Sequence, residues 1–421
     1  MLGECSKQTT DRENSFAEKQ HDYFGTISYY WGGRKMIELS SASKNAVPSG
    51  VRIMFELAKK YEDSINLTLG EPGFPTPRHI IEASIKGLEA GKTQYTPNAG
   101  ILPLREAIAR KLLRENGISC DPQKNLIVTA GATQGLMLAM VTLVNPGDEV
   151  ILQGPNWPDY QGQIDMVNAK AVYASVSKEN DFKMTADVIE PLITDKTKLI
   201  IINSPSNPTG GVLNADDLAE IAELVKKYKI FVISDETYEQ VVYDGFVQKS
   251  LATVPGIEDY VVTVNSLSKS YAMTGFRVGY ICANETIIAN LVKLHENMIA
   301  SVPEPMQWAA IEALDHGAED VAWMLNGYND NRHLIVDGLN HINGFSCLCP
   351  KGAFYVFPSI TDFNMSSEEA AKYILEKTHV VTAPGSAFGP GGEGFLRICY
   401  AGSHEKLEEA LARMEKAFGK K

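Results

Sequence analysis

Positive charge is scarce in this sequence: 39 lysines and arginines stand against 52 aspartates and glutamates, a formal net charge of -13. Nucleic acids and anionic membrane surfaces both require a basic footprint, so neither is expected as a partner. Long apolar runs are missing as well. The longest mostly apolar stretch, Leu136 to Val144, is too short to cross a bilayer. The mixed-charge N-terminus has no apolar stretch of the kind that marks a secretory signal. Cysteine is thin, with six residues scattered as Cys5, Cys120, Cys282, Cys347, Cys349 and Cys399. Cys282 and Cys399 lie in apolar runs, where a free thiol behaves as a small hydrophobe. The Cys347-x-Cys349 pair has no second pair or nearby histidine to complete a zinc set. Buried thiols in a reducing cytoplasm are therefore expected, and no metal.

What remains is an ordinary globular composition, 44% hydrophobic and 22% charged over 421 residues, enough for two packed domains. Residues 1–35 are polar and poorly periodic and read as an N-terminal extension. Val51 to Tyr61 has helical spacing, and Ile65 to Leu69 alternates like a strand. The run Gly70-Glu-Pro-Gly-Phe-Pro-Thr-Pro77, broken by three prolines, must be a shaped loop. Beyond it short β-branched runs at Leu126–Thr129, Glu149–Leu152, Leu199–Asn203, Ile230–Ser234 and Tyr260–Val264 are separated by helical patterns such as Asp216 to Tyr228. That alternation predicts an α/β fold with a mostly parallel sheet under helices. A long amphipathic helix over Met324 to Asn340 leads into a differently patterned region ending in a helix from His404 to Phe418. The expected division is a large domain over 76–325 and a smaller α+β domain built from 36–75 plus 326–421.

Chemistry-bearing residues gather at the ends of these strands. Ser266-Leu-Ser-Lys-Ser-Tyr-Ala-Met-Thr-Gly-Phe-Arg277 follows a strand and sets Lys269 among hydroxyls, with Arg277 as a second cation for a shared anion. Val128-Thr-Ala-Gly-Ala-Thr-Gln-Gly135 is strand, glycine turn and helix start, the geometry that receives a phosphate; Thr133 alone would also serve as an N-cap. Asp235, at the end of a hydrophobic strand, reads either as a cap or as a carboxylate that keeps a heteroaromatic nitrogen protonated. Asn203-Ser-Pro-Ser-Asn-Pro-Thr-Gly-Gly211 and Gly154-Pro-Asn-Trp-Pro-Asp-Tyr160 form two further strand-end loops, the second carrying an aromatic plane in Trp157.

Taken in order, these motifs, with Phe395-Leu-Arg-Ile398, resemble the class I/II aminotransferases of fold type I, the aspartate aminotransferase superfamily, over nearly all of Ser49 to Tyr400. The resemblance implies a pyridoxal 5'-phosphate enzyme with a large mostly parallel-sheet domain and a smaller α+β domain. It makes Lys269 the lysine that holds the cofactor, Asp235 the partner of the pyridine nitrogen, and Asn207 and Tyr238 donors to the ring hydroxyl. Trp157 stacks on the ring, and Ala132, Thr133, Ser266, Ser268 and Arg277 form the phosphate cup. Tyr95 reaches the partner subunit's phosphate, which implies a homodimer with shared active sites. Arg397 clamps the substrate α-carboxylate and Gly70 offers it a backbone N–H, so Gly70, Trp157, Asn207 and Arg397 surround the substrate. A neutral Lys269 is needed for attack on an aldehyde, and the positive charge of Arg277 favours that form.

Two decoys fall away. Gly389-Pro-Gly-Gly-Glu-Gly394 spells a dinucleotide fingerprint but precedes a strand-like run, and Ser266-x-x-Lys269 lacks the companion motifs of a penicillin-binding site. Thr133 stands where some aspartate-specific relatives carry a lysine, and Phe276 replaces the commoner tryptophan. Glu304 falls in a loop that in the resembled family lies near the neighbour's active site; it reads either as the receiver of a basic side chain or as solvent-facing, the second being expected. The expected reaction moves an amino group from a neutral or aromatic L-amino acid to a 2-oxo acid such as 2-oxoglutarate. A lyase or cyclising synthase on the same fold is the alternative, with aspartate specificity ranked below. A regulator's sensor domain ranks last, because the short extension cannot supply a basic DNA-binding domain.

Overall fold

A computed structural model describes residues 50–421, with Ser40 and Ser43 besides. The expected extension over 1–35, and Cys5 with it, lie outside the described residues. Twelve strands are found among them: β1 (Ile65–Asn66), β2 (Leu126–Thr129), β3 (Glu149–Gly154), β4 (Lys170–Ser175), β5 (Thr197–Asn203), β6 (Phe231–Asp235), β7 (Val261–Ser266), β8 (Gly279–Cys282), β9 (Tyr355–Val356), β10 (Val380–Val381), β11 (Ala383–Pro384) and β12 (Leu396–Cys399).

Seven of these form one sheet in the order β2-β8-β7-β6-β5-β3-β4. All its pairings are parallel except the two made by β8, which runs against β2 and β7. Both faces are covered. Along β5, Ile200 and Ile202 enter one apolar cluster while Leu199 and Ile201 enter another, and all four are at most 2% exposed. This is why the strand reads as a continuous apolar run without alternation. Helices cover the sheet with their own stop signals. In Ala215–Tyr228 the Asn214 side chain accepts from the N–H groups of Asp216 and Asp217, and Lys226 and Lys227 occupy the last turn, matching the helix dipole at both ends.

A three-stranded antiparallel sheet, β11-β12-β9, and the parallel pair β1-β10 share a further apolar cluster with helices Ala318–His341, Ser367–Thr378 and His404–Phe418. The long helix starts six residues before the position its apolar spacing indicated, because its first turn is polar and acidic. The strand expected over Ile65 to Leu69 is only two residues long. Strands β4 and β8 were not expected. Within the helix Ala318–His341, Arg332 is fully buried, bonded to Asp244 by both terminal nitrogens at 2.8 and 2.6 Å and stacked on the Tyr243 ring. Such a buried guanidinium is tolerable only because its donors are used.

The reversed strand needs a glycine at its first residue. Gly279 pairs with Thr129 on one side and Ser266 on the other. A Cβ there would lie 2.7 to 2.8 Å from backbone atoms of Gly131, Ala132 and Asn265. Gly279→Ala should therefore cost about 1–3 kcal/mol through overpacking, read as a lower urea midpoint with an unchanged slope. An unchanged midpoint would show that the turn yields freely.

Candidate active site

The carboxyl ends of β2, β3, β5, β6 and β7 open on one edge of the main sheet, and β8 begins there because it runs the other way. A cavity of about 460 Å³ occupies that edge. It is lined by Gly70, Ala132, Thr133, Trp157, Asn207, Asp235, Tyr238, Ser266, Ser268, Lys269, Arg277 and Arg397. Those are the residues singled out from the sequence with one exception. Tyr95 does not line the cavity and is 90% exposed.

Lys269 stands on a single helical turn, Leu267–Ser270, directly after β7. Its Nζ donates to the Gly70 carbonyl at 2.5 Å. Burial lowers its pKa to about 8, and the fields of Arg397 and Arg277 push in the same direction. Dehydration thus does more than the neighbouring guanidinium, which corrects the weight given above to Arg277. Ser266 caps the turn: its Oγ accepts from the Ser268 N–H at 3.0 Å and donates to the Ser268 hydroxyl at 2.8 Å. Across from it the helix Gly131–Leu143 begins, with Gly131 at φ 75 and no side-chain cap. Thr133 is thus inside the helix and is not its cap. A Cβ on Gly131 would meet Arg277 Nη2 at 2.4 Å, so glycine leaves the guanidinium its place. Free N–H groups, two hydroxyls and a guanidinium make an anion seat.

Asp235 ends β6 and is fully buried. One carboxylate oxygen accepts from the Thr237 N–H and hydroxyl at 3.1 and 2.6 Å, and the other from the Tyr160 hydroxyl at 2.6 Å. Burial raises its pKa while those bonds and Lys269 oppose the rise. No helix follows Asp235, so the capping reading is not met: one oxygen closes a local turn on Thr237, and the carboxylate keeps acceptor capacity for a further partner. Tyr238 shares a 2.7 Å hydrogen bond with the Tyr355 hydroxyl, and burial lifts both phenols well above their usual pKa. Trp157 stands edge-on to Tyr160, centroids 5.2 Å apart.

Arg397 rises from β12 and is 5% exposed. Nη2 donates to the Thr68 carbonyl at 2.5 Å and Nη1 to Asn207 Oδ1 at 3.0 Å. Its guanidinium lies 4.6 Å from the ring centroids of both Tyr355 and Phe388. Sequence reasoning missed Tyr160, Thr237, Tyr355 and Phe388. Tyr160 and Thr237 were in plain view, three residues from Trp157 and two from Asp235. Tyr355 and Phe388 carried no local signal.

Glu304 does not face solvent freely: it accepts from Trp308 Nε1 at 3.2 Å and lies 3.8 Å from Lys92. Cys282, Cys347 and Cys399 are buried, as expected, but Cys349 is exposed. Among the described residues no group of three His, Cys, Asp or Glu could hold a metal, and no helix is long and apolar enough to cross a membrane.

The family described as "Aminotransferase class I and II" matches residues 62–414. The chain belongs to the class I and II aminotransferases. Among similar proteins, "Aromatic-amino-acid aminotransferase 2" of Thermococcus litoralis is 39% identical over 91% of this chain and 99% of its own. An "Aspartate aminotransferase" of Pyrococcus abyssi is 40% identical over 89% and 96%. A crystal structure of an aromatic aminotransferase from Pyrococcus horikoshii OT3 superposes with a TM-score of 0.82, at 40% identity, covering 87% of this chain and 98% of that one. The architecture is fold type I, and the chemistry is amino-group transfer dependent on pyridoxal 5'-phosphate. The cavity's groups fit that cofactor: an amine of lowered pKa, a dry carboxylate held at the far side, and an anion seat at a helix start.

Attack on an aldehyde needs the neutral amine. The cofactor-free aminotransferase should therefore capture added pyridoxal phosphate faster as pH rises through about 8, followed by visible absorbance. Lys269→Ala should show no covalent capture at any pH. A capture midpoint near the ordinary lysine value of 10.5 would mean that burial leaves Lys269 unperturbed.

Proposed function

We propose that this aminotransferase carries the amino group of a neutral or aromatic L-amino acid to a 2-oxo acid such as 2-oxoglutarate. The observation that carries the reading is the commitment of every cation lining the cavity. Among the described lining residues only Lys269, Arg277 and Arg397 are basic. In our assignment Lys269 holds the cofactor, Arg277 its phosphate and Arg397 the α-carboxylate, which leaves none for a second substrate carboxylate. Val51, Leu69, Tyr355 and Phe388 give the cavity apolar wall. Relatives named for aromatic and for aspartate substrates are about equally similar, so resemblance alone does not choose between them.

Bound pyridoxal phosphate supplies a ring that accepts the electron pair left when the substrate Cα loses its proton. The chain's residues do the rest. Arg397 takes the planar α-carboxylate in its fork and, with the Gly70 N–H, fixes the direction of the Cα–H bond. Lys269 Nζ would take that proton from the substrate Cα as general base. Asp235 keeps the ring nitrogen protonated. Burial raises its pKa, and the bonds from Thr237 and Tyr160 limit that rise. Asn207, whose Oδ1 is taken by Arg397, would hold the ring hydroxyl through its amide N–H groups, together with Tyr238. The N–H groups of Ala132 and Thr133, with Ser266, Ser268 and Arg277, receive the phosphate, and Trp157 covers the ring.

The same reading includes a homodimer with shared active sites, in which Tyr95 serves the neighbouring subunit's phosphate. Its support is a tyrosine ring left 90% exposed. It also includes residues 36–75 with 326–421 as a smaller domain over 76–325, and a cytoplasmic setting, supported by the free thiols of Cys120, Cys282, Cys347, Cys349 and Cys399.

A spectral titration of the holoenzyme tests the assignment. Phenylalanine and alanine should convert the cofactor to its amine form, and 2-oxoglutarate should reverse the change. A clear preference for aspartate would overturn the substrate class, and ammonia release without the amine form would point to a lyase. Arg397→Lys loses the fork and the ring sandwich, so KM should rise about tenfold to a hundredfold for donor and acceptor alike, the scale of a charged hydrogen bond.

A further inference from the structure

Strand β6 ends at Asp235, and the residues from there to Glu239 divide between two environments. Asp235, Thr237 and Tyr238 line the cavity, whereas Glu236 and Glu239 do not. Both glutamates are nonetheless buried. Glu236 is met by hydroxyls: its Oε1 accepts from Ser234 and Ser250 at 2.8 and 2.6 Å. Glu239 is met by a charge. Its Oε1 accepts from Lys111 Nζ and its Oε2 from Asn116 Nδ2, and the same lysine donates to Asn116 Oδ1 at 2.9 Å. Lys111 and Asn116 are buried as well, and Glu115 lies 3.7 Å from the lysine.

The two donors come from an unusual backbone. Lys111 and Asn116 are five residues apart, and side chains at that spacing on an α-helix diverge by about 140°. They meet on Glu239 because the helix Leu102–Lys111 continues into one π-helical turn, Leu112–Asn116. Such turns are rare and recur at functional sites. Apolar side chains of similar volume often hold a core as well as a buried ion pair does. What the pair adds is direction, since both oxygens of one carboxylate are gripped from a different element. Glu239 directly follows Tyr238. Its N–H donates to the Glu236 carbonyl at 2.9 Å, and the Val241 N–H donates to the Tyr238 carbonyl at 2.8 Å. Fixing the Glu239 carboxylate therefore fixes the turn from which the Tyr238 phenol reaches the cavity.

We propose that Lys111 and Asn116, acting through Glu239, are positioning residues that set the aim of the Tyr238 phenol at the cofactor's ring hydroxyl. The inference rests on the assignment of Tyr238 to that hydroxyl. The competing role is ordinary: the ion pair only ties the helix to the segment after β6.

The test compares the natural holoenzyme with Tyr238→Phe, Asn116→Ala and the double variant Lys111→Met with Glu239→Leu, which removes both buried charges together and leaves neither unpaired. The first reading is the pH midpoint of the visible absorbance. A phenol that donates to the ring oxygen favours its anionic form and, with it, release of the proton at Lys269 Nζ. Tyr238→Phe should raise the midpoint by about one unit, the scale of a hydrogen bond to a charged atom. The double variant should raise it by about half a unit, and Asn116→Ala should move it the same way by less. In the double variant kcat should fall severalfold while KM for the amino donor stays within about twofold, because Arg397 is untouched. A double variant that folds and keeps the natural midpoint and kcat overturns the proposal, whatever its urea midpoint. If it does not fold, Asn116→Ala is judged by the same readings. A Tyr238→Phe enzyme with the natural midpoint overturns the assignment of Tyr238 and the proposal with it, which separates the two failures.

Discussion

Six parallel strands leave their carboxyl ends on one edge, and β8, reversed between β2 and β7, begins where the others end. The polar groups that the main sheet brings to the cavity follow from that arrangement, while Arg397 and Tyr355 come from β12 and β9. A seventh parallel strand in the place of β8 would present its far end at this edge, and Arg277, two residues before Gly279, would sit at the opposite side of the sheet. The reversal is paid for in tight quarters, since a Cβ on the first residue of β8 would collide with the backbone at the start of the helix Gly131–Leu143.

The second demand is to keep charge in a dry place. The three ions solve it differently. Asp235 is surrounded by donors, so its charge is met by hydrogen bonds. Arg397 is met by oxygen atoms at its two ends and by aromatic faces. Lys269 is left undersupplied, with one carbonyl for an ammonium that offers three donors, and it responds by giving up its proton more readily. Instability of the charged form is what makes this lysine a nucleophile at all.

Much of this was legible in the sequence because the motifs sit at strand ends, where the sheet does the assembling. Once Asp235, Lys269 and Asn207 are each placed after a parallel strand, their convergence follows from geometry common to open α/β sheets. Other parts had no local trace. Strand β8 is four residues long, opens with glycine and carries nothing that states its direction. Strand β4, at the sheet's outer edge, is only partly buried. Tyr355 and Phe388 meet Arg397 from residues 42 and 9 positions away in the chain, and only the folding of β9 and the turn before β12 brings them together. Glu304 was placed by position alone, and the Trp308 and Lys92 side chains that hold it were not considered.

The guanidinium of Arg397, 4.6 Å from two ring centroids and tethered at both terminal nitrogens, has little room to swing. A lysine or an arginine on an open surface follows its ligand; in the proposed assignment this one would make the ligand come to it. It would then act as a fixed datum from which lengths along the substrate are measured. An amino acid that shifts its carboxylate by one bond would then not bind more loosely in the same pose; it would present a different atom to Lys269. A site of that kind would discriminate α- from β-amino groups by geometry, before any contact with the side chain is made.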